Sequence, residues 1–246
     1  SALPELTCSF RELLINSTLL GNYLGIKSAT GVDWTLSVEL IFYFFVGVVI
    51  LIRKKFKWKY TYEFLALLWV LISFVLNVFL NTESGVWKYV SILIVAPYAY
   101  MFVTGISLRM LYDGKNKIFA FINLAICMAS HYTRYQCGGY MFFYLIVVAV
   151  FTAWMLVPVA TQEKLEEKIS KLLITKALVW IASISFPLYL IHEYIGFSLL
   201  HYFDSLGLTG QYMMLIPIGI SFILAYLIHK YIEKPVGVYF KSLLKK

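Results

Sequence analysis

The chain has 246 residues, of which 61% are hydrophobic, 18% aromatic and only 14% charged, with a mean hydropathy of +0.79. This composition excludes disorder, a coiled coil and an ordinary water-soluble enzyme. The net charge of +8 reads as a record of membrane orientation rather than as affinity for nucleic acid, and three cysteines provide neither a metal-binding spacing nor a framework of bridges.

Seven apolar segments follow one another, at about 38–52, 62–80, 87–108, 118–130, 140–160, 177–200 and 211–228. They predict an all-α, polytopic membrane protein: one integral-membrane domain over 1–246, with an extracytoplasmic segment 1–37, a seven-helix bundle 38–232 and a basic cytoplasmic tail 233–246. The first and fourth segments are short for about 30 Å of hydrocarbon. Aromatic residues such as Tyr60, Tyr62, Trp87, Tyr89, Tyr140, Trp154 and Tyr202 cluster near segment ends, where amphipathic rings favour the headgroup level.

Basic residues set the orientation. Of the 21 lysines and arginines, 17 fall in alternate loops: around Arg53–Lys59, Arg109–Lys117 and Lys164–Lys176, and in the tail from Lys230. The positive-inside rule then places the C-terminus in the cytoplasm and residues 1–37 outside. An outside segment that begins at Ser1 without an initiator Met reads as a chain that has lost something upstream; a processed N-terminus is the alternative.

Taken along the chain, the first polar string is Trp34, Thr35, Leu36, Ser37, Val38, Glu39, just after Asp33. Ser37 or Asp33 is placed to cap a helix, with Glu39 complementing its dipole. Glu39 also enters the hydrocarbon at about the depth of His192, which makes it a candidate partner across the bundle. Between Thr161 and Lys176, Leu165, Ile169, Leu172 and Leu173 stand at helical spacing, with Glu167 and Lys171 as an i,i+4 pair. The pattern predicts a short helix on the inner membrane surface, against the alternative of a solvated linker.

In the sixth segment Ser185, Tyr189, His192, Glu193 and Gly196 share one helical stripe that lipid would penalise, and Pro187 predicts a kink. Counting from Lys176, His192 lies roughly 24 Å from the inner surface. It reads either as a general base or as a hydrogen-bonded cross-link between helices. In the last segment Ser221, Ala225, His229 and Glu233 are spaced by four and lead into Lys230, Lys234 and Pro235. This is a snorkelling helix end or a docking point for an anionic cytosolic substrate.

Three of these strings, in order, resemble motifs of the membrane acyltransferase-3 family, whose members have about ten spans. VDWTLSVELIFYF resembles its tryptophan-serine-leucine-serine-valine-glutamate signature, ISFPLYLIHEYIGF its proline-leucine-tyrosine-leucine-isoleucine-histidine helix, and YIEKPVGVYFKSLLKK its closing glutamate, basic residue, proline and tail. YAYMFVTGISLRMLYDG is a weaker fourth match, and the likeness covers residues 9–246. Glu193 stands where the family commonly has glutamine, and Phe186 where it has tyrosine. The family's opening spans, with an arginine followed by the histidine usually assigned as base, have no counterpart here, so the chain resembles the C-terminal seven helices of such a bundle.

The resemblance implies transfer of an acyl group, commonly acetyl from acetyl-coenzyme A, to a hydroxyl of a surface carbohydrate or lipid at the plasma membrane. It further implies no bound cofactor, acyl-CoA as the donor substrate, and membrane lipid and the acceptor as partners. Carried over by position, Trp34, Ser37, Glu39, Tyr189, His192, Glu233 and Pro235 match the motifs. Glu39 and His192 are then the candidate catalytic residues, with Trp34, Ser37, Tyr189 and Glu193 as substrate-binding residues. Arg109 and Lys115 are candidates for the phosphates of coenzyme A. The alternatives are a seven-span receptor, a transporter or a non-catalytic envelope-assembly partner. A retinal-type lysine is missing from the middle of the last segment, and no internal repeat supports a transporter.

Overall fold

A computed structural model of the chain describes residues 9–26, 28, 31–57, 60–80, 82, 84–114, 116–135, 138–208 and 210–243. Cys8, Lys115 and Cys137 lie outside the described residues. Every regular element described is helical: α1 (Phe10–Ser17), α2 (Trp34–Phe56), α3 (Thr61–Phe79), α4 (Gly85–Leu93), α5 (Ala99–Tyr112), α6 (Lys117–Tyr135), α7 (Gly138–Leu156), α8 (Val159–Ser170), α9 (Leu173–Ser205), α10 (Leu215–Ile228) and α11 (Lys234–Leu243), with short 3-10 turns at Gly21–Leu24 and Gln211–Met214. Five helical stretches are long and apolar enough to cross a membrane: Trp34–Phe56, Thr61–Phe79, Gly139–Leu156, Leu173–Ser205 and Gln211–Leu243.

The chain forms two compact units, Val38–Glu163 and a second made of Ser1–Ser37 with Lys164–Lys246. In the Val38–Glu163 unit, α3, α5, α6 and α7 pack together around Ala66, Val70, Tyr100, Val103 and Cys127, continued by a second cluster that includes Met110, Leu111, Leu124 and Val148. Phe42 of α2 stacks on Phe102 of α5, ring centres 4.2 Å apart, and both rings lie against Trp69 of α3.

The third apolar segment corrects the sequence reading. Instead of one span over 87–108, the chain breaks between α4 and α5, where Val95 adopts φ +55°. A β-branched residue in the left-handed region costs on the order of 1–3 kcal/mol, and Pro97 cannot continue a helical hydrogen-bond ladder. The break is tolerated because α3 pairs the carbonyls it frees: Trp69 Nε1 donates to Ile94 O at 2.8 Å and Asn77 Nδ2 to Ala96 O at 3.0 Å.

The first and fourth segments are longer than expected, at 23 and 19 residues, because helix continues through the flanking polar residues. Arg53, Lys54 and Lys55 in the last turn of α2 complement its dipole. α7 stops one residue before Val157–Pro158, and Gln162 Nε2 donates to Trp154 O at 2.6 Å, satisfying one of its terminal carbonyls. The expected surface helix exists but ends at Ser170, so Leu172 and Leu173 do not share it, and Leu173 opens α9. The Lys171–Glu167 pair forms at 2.9 Å in full exposure, where it adds little.

In the other unit α9 packs along α10. The 33 residues of α9 include Pro187 without interruption, and the helix closes on Gly207, φ +71°, with Leu208 N bonded to Phe203 O and Gly207 N to Asp204 O. That crossed pair is the Schellman arrangement, which needs the left-handed conformation glycine adopts freely. The last segment does not end at Ile228. A π turn at His229–Glu233 carries it into α11, and the wide turn accommodates Pro235, which has no N–H to offer the ladder.

Candidate functional site

The polar stripe of α9 meets the residues that lead into α2, within one unit. Tyr189 Oη lies 2.8 Å from Thr35 Oγ1 and donates to Val32 O at 3.2 Å, while Thr35 Oγ1 also reaches Val32 O at 3.0 Å. Two hydroxyl protons serve three contacts, so one hydroxyl donates to the carbonyl while the other donates to its neighbouring hydroxyl. One turn further along α9, the Glu193 carboxylate rests on Gly31, φ +78°; a Cβ there would stand 2.6 Å from Glu193 Oε1. Ser28 ties the approach together, accepting from Gly31 N at 2.7 Å and hydrogen-bonded to the Asp33 carboxylate.

These contacts explain the local chain path. Asp33 and Val32 are buried, and α2 begins directly after them at Trp34. Ser37 is not the cap: it sits in the first turn, buried, with its hydroxyl returned to Asp33 O at 3.4 Å and its N–H bonded to the same carbonyl. Trp34 is 41% exposed.

His192 is exposed on α9, and its ring engages its own helix: Nδ1 is 2.7 Å from Tyr189 O and 3.2 Å from Leu188 O. Carbonyls only accept, so the neutral ring is assigned with its proton on Nδ1 and a lone pair on Nε2. Nε2 is therefore the basic nitrogen. The face of α9 that is buried is offset from this stripe, at Ile184 and Pro187, and α10, which packs along α9, buries Pro217, Ser221 and Ala225.

The Ser221, Ala225, His229, Glu233 row continues that packed face. His229 Nδ1 meets Glu233 Oε2 at 2.7 Å, with the His229 side chain 12% and the Glu233 side chain 42% exposed. Glu39 stands at the start of α2 in the Val38–Glu163 unit, exposed. Arg109 belongs to that unit too; its Nε is 3.0 Å from Asp113 Oδ1 and its guanidinium lies over Tyr112 at 5.2 Å, so its charge is partly answered within its own helix.

Sequence reasoning missed a histidine. His131, 6% exposed, stacks on Tyr144 at 4.2 Å, meets Tyr100 edge-on and lies beside Tyr135. Its signal was present in α6, where Asn123, Cys127, Ser130 and His131 form a polar stripe, but the predicted segment stopped at Ser130. Glu63, inside a predicted segment and buried, was overlooked as well. Among the described residues no three His, Cys, Asp or Glu side chains converge as a metal site.

No family model, curated protein or solved structure matches the chain.

Proposed function

We propose that the chain is part of a membrane acyltransferase that moves an acyl group, acetyl from acetyl-CoA being the simplest, to a hydroxyl of a surface carbohydrate or lipid. The observation that carries this reading is the triangle of Tyr189, Thr35 and Val32, which ties the WTLSVE string to the PLYLIHE string, the two strings that resemble the family's motifs. In this reading the protein crosses the plasma membrane seven times with its C-terminus in the cytoplasm.

Tyr189 acts here as a positioning residue, because its hydroxyl is engaged by protein. His192 serves as base through Nε2. The acceptor hydroxyl loses its proton to Nε2 as its oxygen attacks the thioester carbonyl, the C–S bond breaks, and the leaving thiolate takes that proton up. Trp34, in the same unit, shapes the acceptor side.

The test is acyl transfer by the full chain, in its native membrane or purified in detergent, with radiolabelled acetyl-CoA and cell-envelope carbohydrate and lipid. Label should pass to an alkali-labile ester, and His192→Ala should lower the rate at least a hundredfold with the amount of folded protein unchanged. Transfer unaffected by His192→Ala, or the absence of any donor-dependent label with wild-type protein, would overturn the reading.

A further inference from the structure

The end of the last helix carries a charge pattern that does not depend on the acyl-transfer reading. Lys230, Lys234 and Lys241 are all exposed there. Glu233 is the only acidic residue after Asp204, and its Oε2 is already engaged by His229 Nδ1 at 2.7 Å. Among the described residues no carboxylate forms an ion pair with any of the three lysines. Lys230 lies beside two aromatic rings instead, its Nζ 5.8 Å from the centre of Tyr226 and 5.3 Å from that of Tyr231.

Helical geometry sorts α11 into two faces. Lys234 and Lys241 are seven positions apart, which is two turns, so they share a face about 10 Å from each other. Val236, Phe240 and Leu243 fall on the opposite face and are 47%, 59% and 47% exposed. The rise from Leu215 to Glu233 is about 27 Å, close to the roughly 30 Å of a hydrocarbon core, so a crossing helix brings Lys230 and Lys234 to the headgroup level. A π turn and a proline are both places where helices bend, and both stand at the junction with α11, at His229–Glu233 and Pro235.

A row of cations without carboxylates and an exposed apolar face have to be answered together. A soluble phosphate compound would meet the lysines and leave Val236, Phe240 and Leu243 in water. A phospholipid with a net negative headgroup meets both, phosphate to ammonium and acyl chain to apolar side chain. A zwitterionic phospholipid brings its own cation to the same place. α8 supplies the contrast: Lys164, Lys168 and Lys171 alternate there with Glu163, Glu166 and Glu167, and Lys171 is paired with Glu167 at 2.9 Å.

We propose that the end of the last helix is a binding site for anionic phospholipid. Lys230, Lys234 and Lys241 take the headgroup phosphates, Tyr226 and Tyr231 stand at the headgroup level, and Val236, Phe240 and Leu243 meet the acyl chains.

The experiment uses the full chain, purified and delipidated in neutral detergent, incubated with an equimolar mixture of phosphatidylglycerol and phosphatidylcholine and repurified; mass spectrometry then counts the lipid retained per protein. Each lysine near a lipid surface is worth about fivefold in attraction to anionic lipid, and wild type should retain phosphatidylglycerol over phosphatidylcholine by at least tenfold. Lys230→Gln, Lys234→Gln and Lys241→Gln together should lower that ratio at least fivefold while eluting from size exclusion as wild type does. If that variant does not fold, Lys234→Gln with Lys241→Gln decides, with an expected loss of at least threefold. Removing the same charge from α8, by Lys164→Gln, Lys168→Gln and Lys171→Gln, should leave the ratio within a factor of two. Equal retention of the two lipids by wild type overturns the proposal, as does an unchanged ratio in a folded lysine variant. An equal fall in the α8 variant overturns it in favour of general charge attraction. Radiolabelled coenzyme A is the second probe, in detergent without lipid: lysine variants that lose its binding but keep phosphatidylglycerol overturn the proposal in favour of a soluble phosphate ligand.

Discussion

Tyr189 and Thr35 stand 154 residues apart in the chain and share a hydroxyl contact of 2.8 Å, with the carbonyl of Val32 as the third corner. Removing either hydroxyl leaves the other able to serve the carbonyl. Tyr189→Phe and Thr35→Val should therefore each cost about 1 kcal/mol, and the double variant, which takes both hydroxyls from the carbonyl, should cost more than their sum. Unfolding in detergent, read as a double-mutant cycle, checks this; strict additivity would show that the contact carries no coupling.

Gly31 answers to two constraints at once, its positive φ and the Glu193 carboxylate against it. Gly31→Ala should destabilise by more than about 1 kcal/mol. Adding Glu193→Ala should restore the part due to the clash and leave the part due to φ. Full restoration by the second change would mean that backbone conformation contributes nothing.

The break between α4 and α5 depends on two donors from α3. Trp69→Phe leaves Ile94 O without its donor, and Asn77→Leu leaves Ala96 O without its own, each at a cost of about 1–3 kcal/mol. Melting temperature of the purified protein is the readout. Two neutral substitutions would show that the freed carbonyls find other partners.

Orientation is tested by reporter fusions after Lys59, Ser84, Lys117 and Lys246, expected inside, outside, inside and inside. Fusions placed after Lys59 that score outside would reverse the assignment, because 17 of the 21 basic residues depend on the same alternation.

Cys127 has no exposed surface in the core of α6. A membrane-impermeant maleimide applied to intact cells should leave it unlabelled, and labelling should appear after denaturation. Labelling of Cys127 in the native protein would contradict the packing of α6 on α3 and α5.

Much of this fold is legible in the chain because apolar runs of about 20 residues admit few structures in a membrane. The runs over 62–80 and 140–160 correspond in the structure to Thr61–Phe79 and Gly138–Leu156, within a few residues of where hydropathy places them. Boundaries failed where side chains of mixed character continue a helix: Thr133 and Arg134 extend α6, and Lys230 to Lys241 extend the last one. The break at Val95 was not legible, because a single left-handed residue leaves no mark on hydropathy and its support comes from Trp69 and Asn77 on another helix. The residues of the α9 stripe lie on one unbroken helix, with Ser185 and His192 exposed, whereas the engagement of Tyr189 by Thr35 depends on tertiary contact and had no periodic signal.

The break before α5 also resets rotational phase. Ser91 and Tyr100 are nine positions apart, which in one uninterrupted helix places them about 180° from each other. Both are nevertheless buried, Ser91 at 4% and Tyr100 at 2% exposure. A continuous rod would have to turn one of them toward lipid; the kinked segment turns each half independently, and so a single stretch of chain can present polar groups inward on both sides of the break. Any change that straightened it would not merely lengthen a helix but would exchange inward and outward faces over everything that follows, Thr104 and Ser107 included.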